Sequence, residues 1–111
     1  MPSETIVFFR KYTSLAGGST YRSDPYEVTP YRQLTAEAVL AGAAGTGTAT
    51  GQLYESSDML TWTPVGSTTN LSATVAVISQ TYPARYVLLE IVVPGSMTVA
   101  TVWAKGVARD A

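Results

Sequence analysis

Apolar and polar residues alternate along most of this chain, and a period of two predicts β-strands. Thr5 to Tyr12 has apolar side chains on both faces, so we expect a strand that is covered on both sides for part of its length. Leu71 to Val77 alternates with small residues, which is typical of a strand with one buried face. Tyr86 to Val93 predicts a central strand buried on both sides, and Met97 to Ala104 predicts the last strand.

One segment combines several of these signals. Residues 52 to 65 contain an alternating apolar run, a Ser-Asp turn and a second run that begins near Trp62. This pattern predicts a β-hairpin that buries the indole ring. We expect Trp103, which also lies within an apolar run, to belong to the core as well.

Residues that favour turns separate the predicted strands. Pro94-Gly95, between two strongly apolar runs, predicts a hairpin, and the glycine-rich stretch from Gly42 to Gly51 predicts a flexible hairpin loop. About seven or eight strands separated in this way predict an all-β fold, an antiparallel β-sandwich or jelly roll.

Residues 33 to 41 allow two interpretations. Leu34, Ala38 and Ala41 could share one face of a short helix, and the segment is rich in good helix formers. The same residues also alternate strictly, because Leu34, Ala36, Ala38 and Leu40 are separated by Gln33, Thr35, Glu37 and Val39. We favour the strand, since the segments on both sides are predicted to be β.

Length and composition restrict the protein further. The chain has 111 residues, which fits a single domain, residues 1–111, with a short N-terminal arm of about residues 1–5. Only 14% of the residues are charged and the net charge is -1, so we expect no nucleic acid partner. The N-terminus lacks the features of a secretory signal, and no apolar run approaches the roughly 20 residues that span a bilayer, so we expect no membrane partner.

The chain offers few groups for catalysis. It contains no His and no Cys, and no Ser has a base at a meaningful spacing. Calcium could use oxygen ligands from Asp24, Glu27 and Asp58, but no loop has the ligand density of a calcium motif. The sequence therefore predicts a protein that is not an enzyme and that has no catalytic residues, no metal site and no cofactor.

Glu90 is unusual because it lies inside an apolar run. A carboxylate in such a place needs a partner or a wet face. Arg85, Arg32 and Lys105 are the candidate partners, and we expect either a structural ion pair or a charge that faces a sheet edge.

Three tyrosines cluster in a predicted loop. Tyr21, Tyr26 and Tyr31 surround Asp24 in a segment that also contains two prolines. Tyrosines in such a loop could line a glycan groove or form a contact between subunits. The sequence leaves both interpretations open.

Four motifs follow one another along the chain. They are Tyr21-Arg22-Ser23-Asp24-Pro25-Tyr26-Glu27-Val28, Tyr31-Arg32-Gln33-Leu34, residues 54 to 65, and Ala84-Arg85-Tyr86-Val87. Together they resemble small β-sandwich proteins of tailed-bacteriophage particles, in which a Ser-Asp hairpin precedes a Trp and an Arg-Tyr-Val strand follows. The hairpin is also similar to that of discoidin-like and other carbohydrate-binding sandwiches.

The resemblance implies a head decoration protein or another minor virion protein, which acts in the virion as an oligomer, expected to be a trimer or another ring. Its partners would be copies of itself and the major capsid protein or another virion protein. Unpaired sheet edges would be covered by neighbouring chains. The alternative is a carbohydrate-binding module that uses the tyrosines on a host glycan. The predicted contacts are Pro2, Ser3, Glu4 and Thr5 in the arm, and Tyr21, Arg22, Asp24, Tyr26 and Tyr31 in the loop.

Overall fold

A computed structural model describes residues 3–29, 31–81 and 83–110. These residues form nine strands in two antiparallel sheets, and none of them belongs to a helix that could cross a membrane. The strands are β1 (Ser3–Ala16), β2 (Ser19–Arg22), β3 (Tyr26–Glu27), β4 (Gln33–Gly45), β5 (Thr50–Ser56), β6 (Thr63–Asn70), β7 (Ala76–Thr81), β8 (Tyr86–Val93) and β9 (Met97–Arg109).

The strand order is that of a jelly roll. The first sheet, called sheet A, has the order β1-β9-β4-β7, and the second, sheet B, has the order β2-β8-β5-β6. β3 pairs with the same strand as β2, so the two short strands occupy successive stretches of one edge. The predicted all-β sandwich is confirmed, and the break between β2 and β3 explains why there is one strand more than expected.

Residues 33 to 41 are strand, as we favoured over a helix. They belong to β4, which pairs with β9 on one side and with β7 on the other. Leu34, Ala36 and Ala38 are buried, and the residues between them are half-buried. The alternation therefore outweighs the helix propensity, because it places one apolar row against the core.

The core is asymmetric between the two sheets. Sheet B contributes large buried side chains, and sheet A contributes mostly alanines from β4 and β9. Two phenylalanines of β1 fill the space over these small residues. A Cβ atom at Gly106 of β9 would lie only 2.9 Å from the ring of Phe8, so this glycine makes room for the ring.

β1 departs from the simple alternation expected for Thr5 to Tyr12. Register shifts between Val7 and Phe9 and between Phe9 and Thr13 mark irregularities in its pairing with β9. They allow the neighbouring Phe8 and Phe9 both to be buried, whereas Tyr12 adopts a φ of 65° and is 65% exposed. Tyr12 therefore does not join the core row to which its spacing assigned it.

Two predicted elements are wrong in position. The expected strand from Leu71 to Val77 is mostly the connection between β6 and β7, because β6 continues to Asn70 and β7 starts only at Ala76. Pro94-Gly95 does form a turn, in which the Met97 N–H donates to the Pro94 carbonyl over 3.1 Å. The turn joins β8 of sheet B to β9 of sheet A, so it connects the two layers and does not close a hairpin.

The predicted glycine-rich loop and the predicted N-terminal arm are both shorter in the structure than expected. β4 includes the first part of the glycine-rich stretch and ends at Gly45, which leaves a loop of residues 46 to 49. At the N-terminus, Ser3 to Thr5, expected in an arm, are the first residues of β1. Ser3 lies opposite Arg109 of β9. Of the expected arm, only Met1 and Pro2 lie outside the described residues.

Candidate partner-binding surfaces

The predicted contact residues of the N-terminus lie on one edge of sheet A. Ser3, Glu4 and Thr5 are exposed, and their backbones pair with the last residues of β9. Pro2 lies outside the described residues. These side chains are available to a partner, but the backbone of Ser3 to Thr5 already belongs to the sheet.

Tyr21 and Tyr26 join the two sheets at that edge. Each lies opposite a fully buried residue of β8, Ile91 and Val87 respectively, so both rings point towards the interior. The Tyr21 hydroxyl donates to the Ala16 carbonyl over 2.9 Å, and the Tyr26 hydroxyl donates to the Val7 carbonyl over 2.7 Å. Both acceptors belong to β1, so the two tyrosines attach sheet B to that strand.

The loop tyrosines do not form one stacking surface. Tyr21 and Tyr26 pair with β8 residues four positions apart, which separates them by roughly 13 Å along the strand. The Tyr26 ring packs edge-on against Phe8, with 5.8 Å between the ring centroids. Tyr31 is half-buried against the core, and Asp24 is exposed. The structure thus separates the rings that the glycan interpretation brought together.

Arg22 has a structural role on the outer face of sheet B. Its Nε atom lies 2.8 Å from a carboxylate oxygen of Glu90, and its guanidinium stacks over the Tyr54 ring at 4.8 Å from the centroid. The hydrogen bond to Glu90 raises the pKa of Arg22. The expected ion pair of Glu90 exists, but its partner is Arg22 and not Arg85, Arg32 or Lys105, because β2 lies directly beside β8.

Arg85, just before β8, likewise combines an ion pair with stacking over a tyrosine ring. Arg85 lies 2.7 Å from a carboxylate oxygen of Glu27, and its guanidinium stacks over Tyr86. The hydrogen bond that Arg85 donates to Glu27 raises the pKa of Arg85. Both side chains of this pair are exposed, so its contribution to stability is small.

The turn of the predicted hairpin is held by its own side chains. β5 and β6 pair as expected for residues 52 to 65. In the turn, the Asp58 carboxylate accepts hydrogen bonds from the N–H groups of Thr61 and Leu60 and from the Ser56 hydroxyl. These bonds lower the pKa of Asp58, with the Thr61 N–H as the largest cause. The turn exposes 86% of the Leu60 side chain.

Neither indole belongs to the core, contrary to our expectation. Trp62 is half-buried beside the turn, and Trp103 is half-buried on the outer face of sheet A. Val102 and Ala104, on either side of Trp103 in the chain, are fully buried, so the alternation directs the indole outwards. The opposite, inward face of β9 presents small residues, mostly alanines.

Trp103 is the centre of a patch that the sequence interpretation missed. The ammonium groups of Lys105 and Lys11 lie 5.1 Å and 5.8 Å from the centroid of its ring. The exposed Tyr12 ring also contacts Lys11. The sequence did contain a signal for this patch, because Trp103 shares its face of the strand with Lys105, two positions along.

The described residues form a shallow hollow of about 320 Å³ on sheet B, near the turn between β8 and β9. Its lining carries no charged side chain and consists of Gly18, Ser19, Thr20, Val92, Val93, Pro94 and Gly95. Within the described part of the chain, no three carboxylates come together in a way that could hold a metal ion.

Comparison with known proteins supports the fold. No protein-family model matches this chain, and no curated protein matches it in sequence. Among solved structures, the SPBc2 prophage-derived protein YomS is similar, with a TM-score of 0.64 and 17% identity over 96% of this chain and 92% of that one.

Two further solved structures share the architecture. A chain of infectious bursal disease virus, Gx strain, has a TM-score of 0.64 and 17% identity, and the match covers 98% of this chain and 32% of that one. A chain of the Bacillus endospore appendages, described as a family of disulfide-linked pili, has a TM-score of 0.58 and 10% identity over 98% of this chain and 87% of that one. At these identities the likeness establishes the jelly-roll fold alone.

Proposed function

We propose that this protein is a non-enzymatic structural component of a bacteriophage particle, which decorates or cements the capsid as a homo-oligomer. The observation that carries the proposal is the likeness to the prophage-derived protein YomS, which extends over nearly the whole of both chains. The phage-like motifs between Tyr21 and Val87 favour the same class. In this role the protein belongs to the virion, and its partners are copies of itself and the major capsid protein or another virion protein.

The roles of the acidic side chains support a structural function. Glu90 and Glu27 bind arginines, and Asp58 holds its own turn. Glu55 of β5 accepts hydrogen bonds from the Ala84 N–H, in the connection before β8, and from the Gln80 side chain, in β7. Each of these carboxylates serves the architecture, and the chain contains no His that could supply a base near neutral pH.

The exposure of the predicted contact residues indicates which of them can touch a partner. We infer that Ser3, Glu4, Thr5 and Asp24 meet the partner through their side chains, since all of them are exposed. Tyr21 and Tyr26 support the adjacent strand β1 through their hydrogen bonds, whereas Arg22 forms its ion pair on the outer face of sheet B. Removing residues 2 to 5 would also remove part of β1, so point substitutions test this surface better than a deletion.

Co-sedimentation with virus shells tests the proposed function. We expect the protein to bind shells of the phage that encodes it at a saturable stoichiometry. The double variant Glu4→Lys with Asp24→Lys should weaken this binding, because it reverses both exposed charges of the surface. Thr46→Lys, in the loop at the opposite end of the sandwich, is the matched control. A protein that fails to bind such shells at any concentration would contradict the proposal.

A host glycan as partner is a second candidate, favoured by aromatic rings other than the loop tyrosines. Tyr12 and Trp103 expose ring surface on sheet A beside two lysines. Exposed aromatic rings can stack on sugars, and the lysines would suit an acidic sugar. A glycan panel tests this candidate: binding should disappear in Trp103→Ala and persist in Trp62→Ala.

A further inference from the structure

The four edges of the sandwich differ in how they are protected. An edge strand presents unpaired N–H and C=O groups, and proteins block such strands with charges, prolines, bulges or covering side chains. In sheet A the edge strands are β1 and β7. In sheet B one edge is β6, and the other is formed by β2 and β3 together.

Three of the edges carry such devices. β1 has two register shifts, and the hydroxyls of Tyr21 and Tyr26 occupy two of its carbonyls. The edge formed by β2 and β3 is interrupted between Arg22 and Tyr26 by a segment that contains Pro25. β6 contains Pro64, a register shift in its pairing with β5, and a glycine, Gly66, with a φ of 68°.

β7 carries none of these devices within the described residues. Its pairing with β4 runs from Gln33 to Ala38 without a register shift, so the strand is regular. Residues 71 to 81 include neither a charged residue nor a proline. The outward side chain of Val77 is 58% exposed, and Val75 just before the strand is 43% exposed. A regular, uncharged and partly apolar edge is the kind of strand that recruits another strand.

We propose that β7 is the strand through which two copies of this chain join, edge to edge and antiparallel, so that their two copies of sheet A form one continuous sheet. A second copy suits the edge, because pairing β7 with itself places no like charges opposite each other and no proline in the ladder. The inference rests on the proposed homo-oligomeric function and deepens it. Antiparallel self-pairing is two-fold, so it predicts a dimer and not the trimer expected from the resemblance.

Two serines allow a matched test. Ser79 lies in the middle of β7 and Ser67 lies in β6, and both are exposed residues of edge strands. We expect the wild-type protein to have twice the protomer mass by light scattering. Ser79→Lys should raise the dissociation constant about tenfold or more, because it places two lysines close to the two-fold axis. Ser67→Lys, the same change on the other sheet, should leave the mass unchanged.

A charge-complementary mixture separates loss of pairing from loss of folding. Ser79→Glu alone should also dissociate, whereas an equimolar mixture of Ser79→Lys and Ser79→Glu should form the dimer again. A dimer that Ser79→Lys and Ser79→Glu leave intact would overturn the inference, and so would equal disruption by Ser67→Lys. A trimer would overturn two-fold pairing and leave the homo-oligomer standing. A monomer that still co-sediments with shells would overturn pairing of copies but not the role in the particle.

Discussion

At one edge of sheet A, β1 is irregular and receives hydrogen bonds from Tyr21 and Tyr26, whereas at the other edge β7 is regular, uncharged and partly apolar. Both are edge strands of the same sheet, so an edge position alone does not decide how a strand is protected. The difference teaches that side chains from the opposite sheet can cover an edge by binding its backbone carbonyls. β1 has these in β2 and β3.

Of the changes that distinguish these two edges, Tyr26→Ala should have the largest effect on stability. The change removes the hydrogen bond to Val7 and the packing of the ring against Phe8. Because the ring is half-buried, we expect a loss of about 2 to 3 kcal/mol in the free energy of unfolding. Hydrogen exchange should become faster in β1 and stay unchanged in β7. Equal acceleration at both edges would show that the tyrosine does not protect β1 specifically.

Gly106→Ala tests how firmly β1 is seated on β9. The added methyl group would lie 2.9 Å from the Phe8 ring, which is buried and has little room to move. We expect a loss of about 1 to 3 kcal/mol in denaturant unfolding. Gly42→Ala in β4 is the control, because no heavy atom of another residue lies within 4 Å of its added methyl group. A tolerated Gly106→Ala would mean that the Phe8 ring is not held where the structure places it.

Conservative removal of the hydroxyls should have a smaller effect. Tyr26→Phe and Tyr21→Phe keep the rings and delete one hydrogen bond each. We expect each change to reduce stability by about 1 kcal/mol, measured by thermal unfolding. The double variant should also expose more of the β1 edge, which concentration-dependent light scattering would detect. Unchanged stability in both single variants would show that water replaces the hydroxyls without loss.

Lowering the pH should have the smallest effect on stability, and it should act on the turn held by Asp58, which belongs to neither edge. The pKa of Asp58 is lowered in the folded protein, so its hydrogen bonds stabilise the turn above the ordinary aspartate pKa of about 4, and this contribution is lost as the pH falls below that value. We expect the protection factors of the Leu60 and Thr61 amides, which correct for the intrinsic pH dependence of exchange, to fall at low pH before those of β1 or β7. Asp58→Asn should remove this pH dependence of the turn.

Much of the fold could be predicted from the sequence. The apolar run from Tyr86 to Val93 indicated a central strand, and β8 indeed lies between two neighbours. The alternation from Gln33 to Leu40 favoured β4 correctly over a helix. Such alternation patterns predict strands reliably because each pattern depends only on which residues of a single segment face the core.

The candidate surfaces could be predicted less well, because they depend on contacts between distant residues. Glu90 binds Arg22, 68 positions away, whereas the sequence suggested Arg85 close by. The residues next to Trp103 are apolar on both faces of the last strand, and Lys105, two positions along, was the signal that the indole points outwards. The hydroxyl contacts of Tyr21 and Tyr26 appear only when β1 is placed beside β2 and β3.

The pairing of Ser3 with Arg109 has a practical consequence for anyone who labels this protein. Across sheet A, Arg109 lies opposite Gln33, and Gln33 lies opposite Thr81, the last residue of β7. An affinity tag or fluorescent fusion at either terminus would therefore emerge from the same pole of the molecule, at the end of sheet A where β7 also ends. Bulky fusions should be cleaved before the mass in solution is measured, since they could obstruct association through that strand.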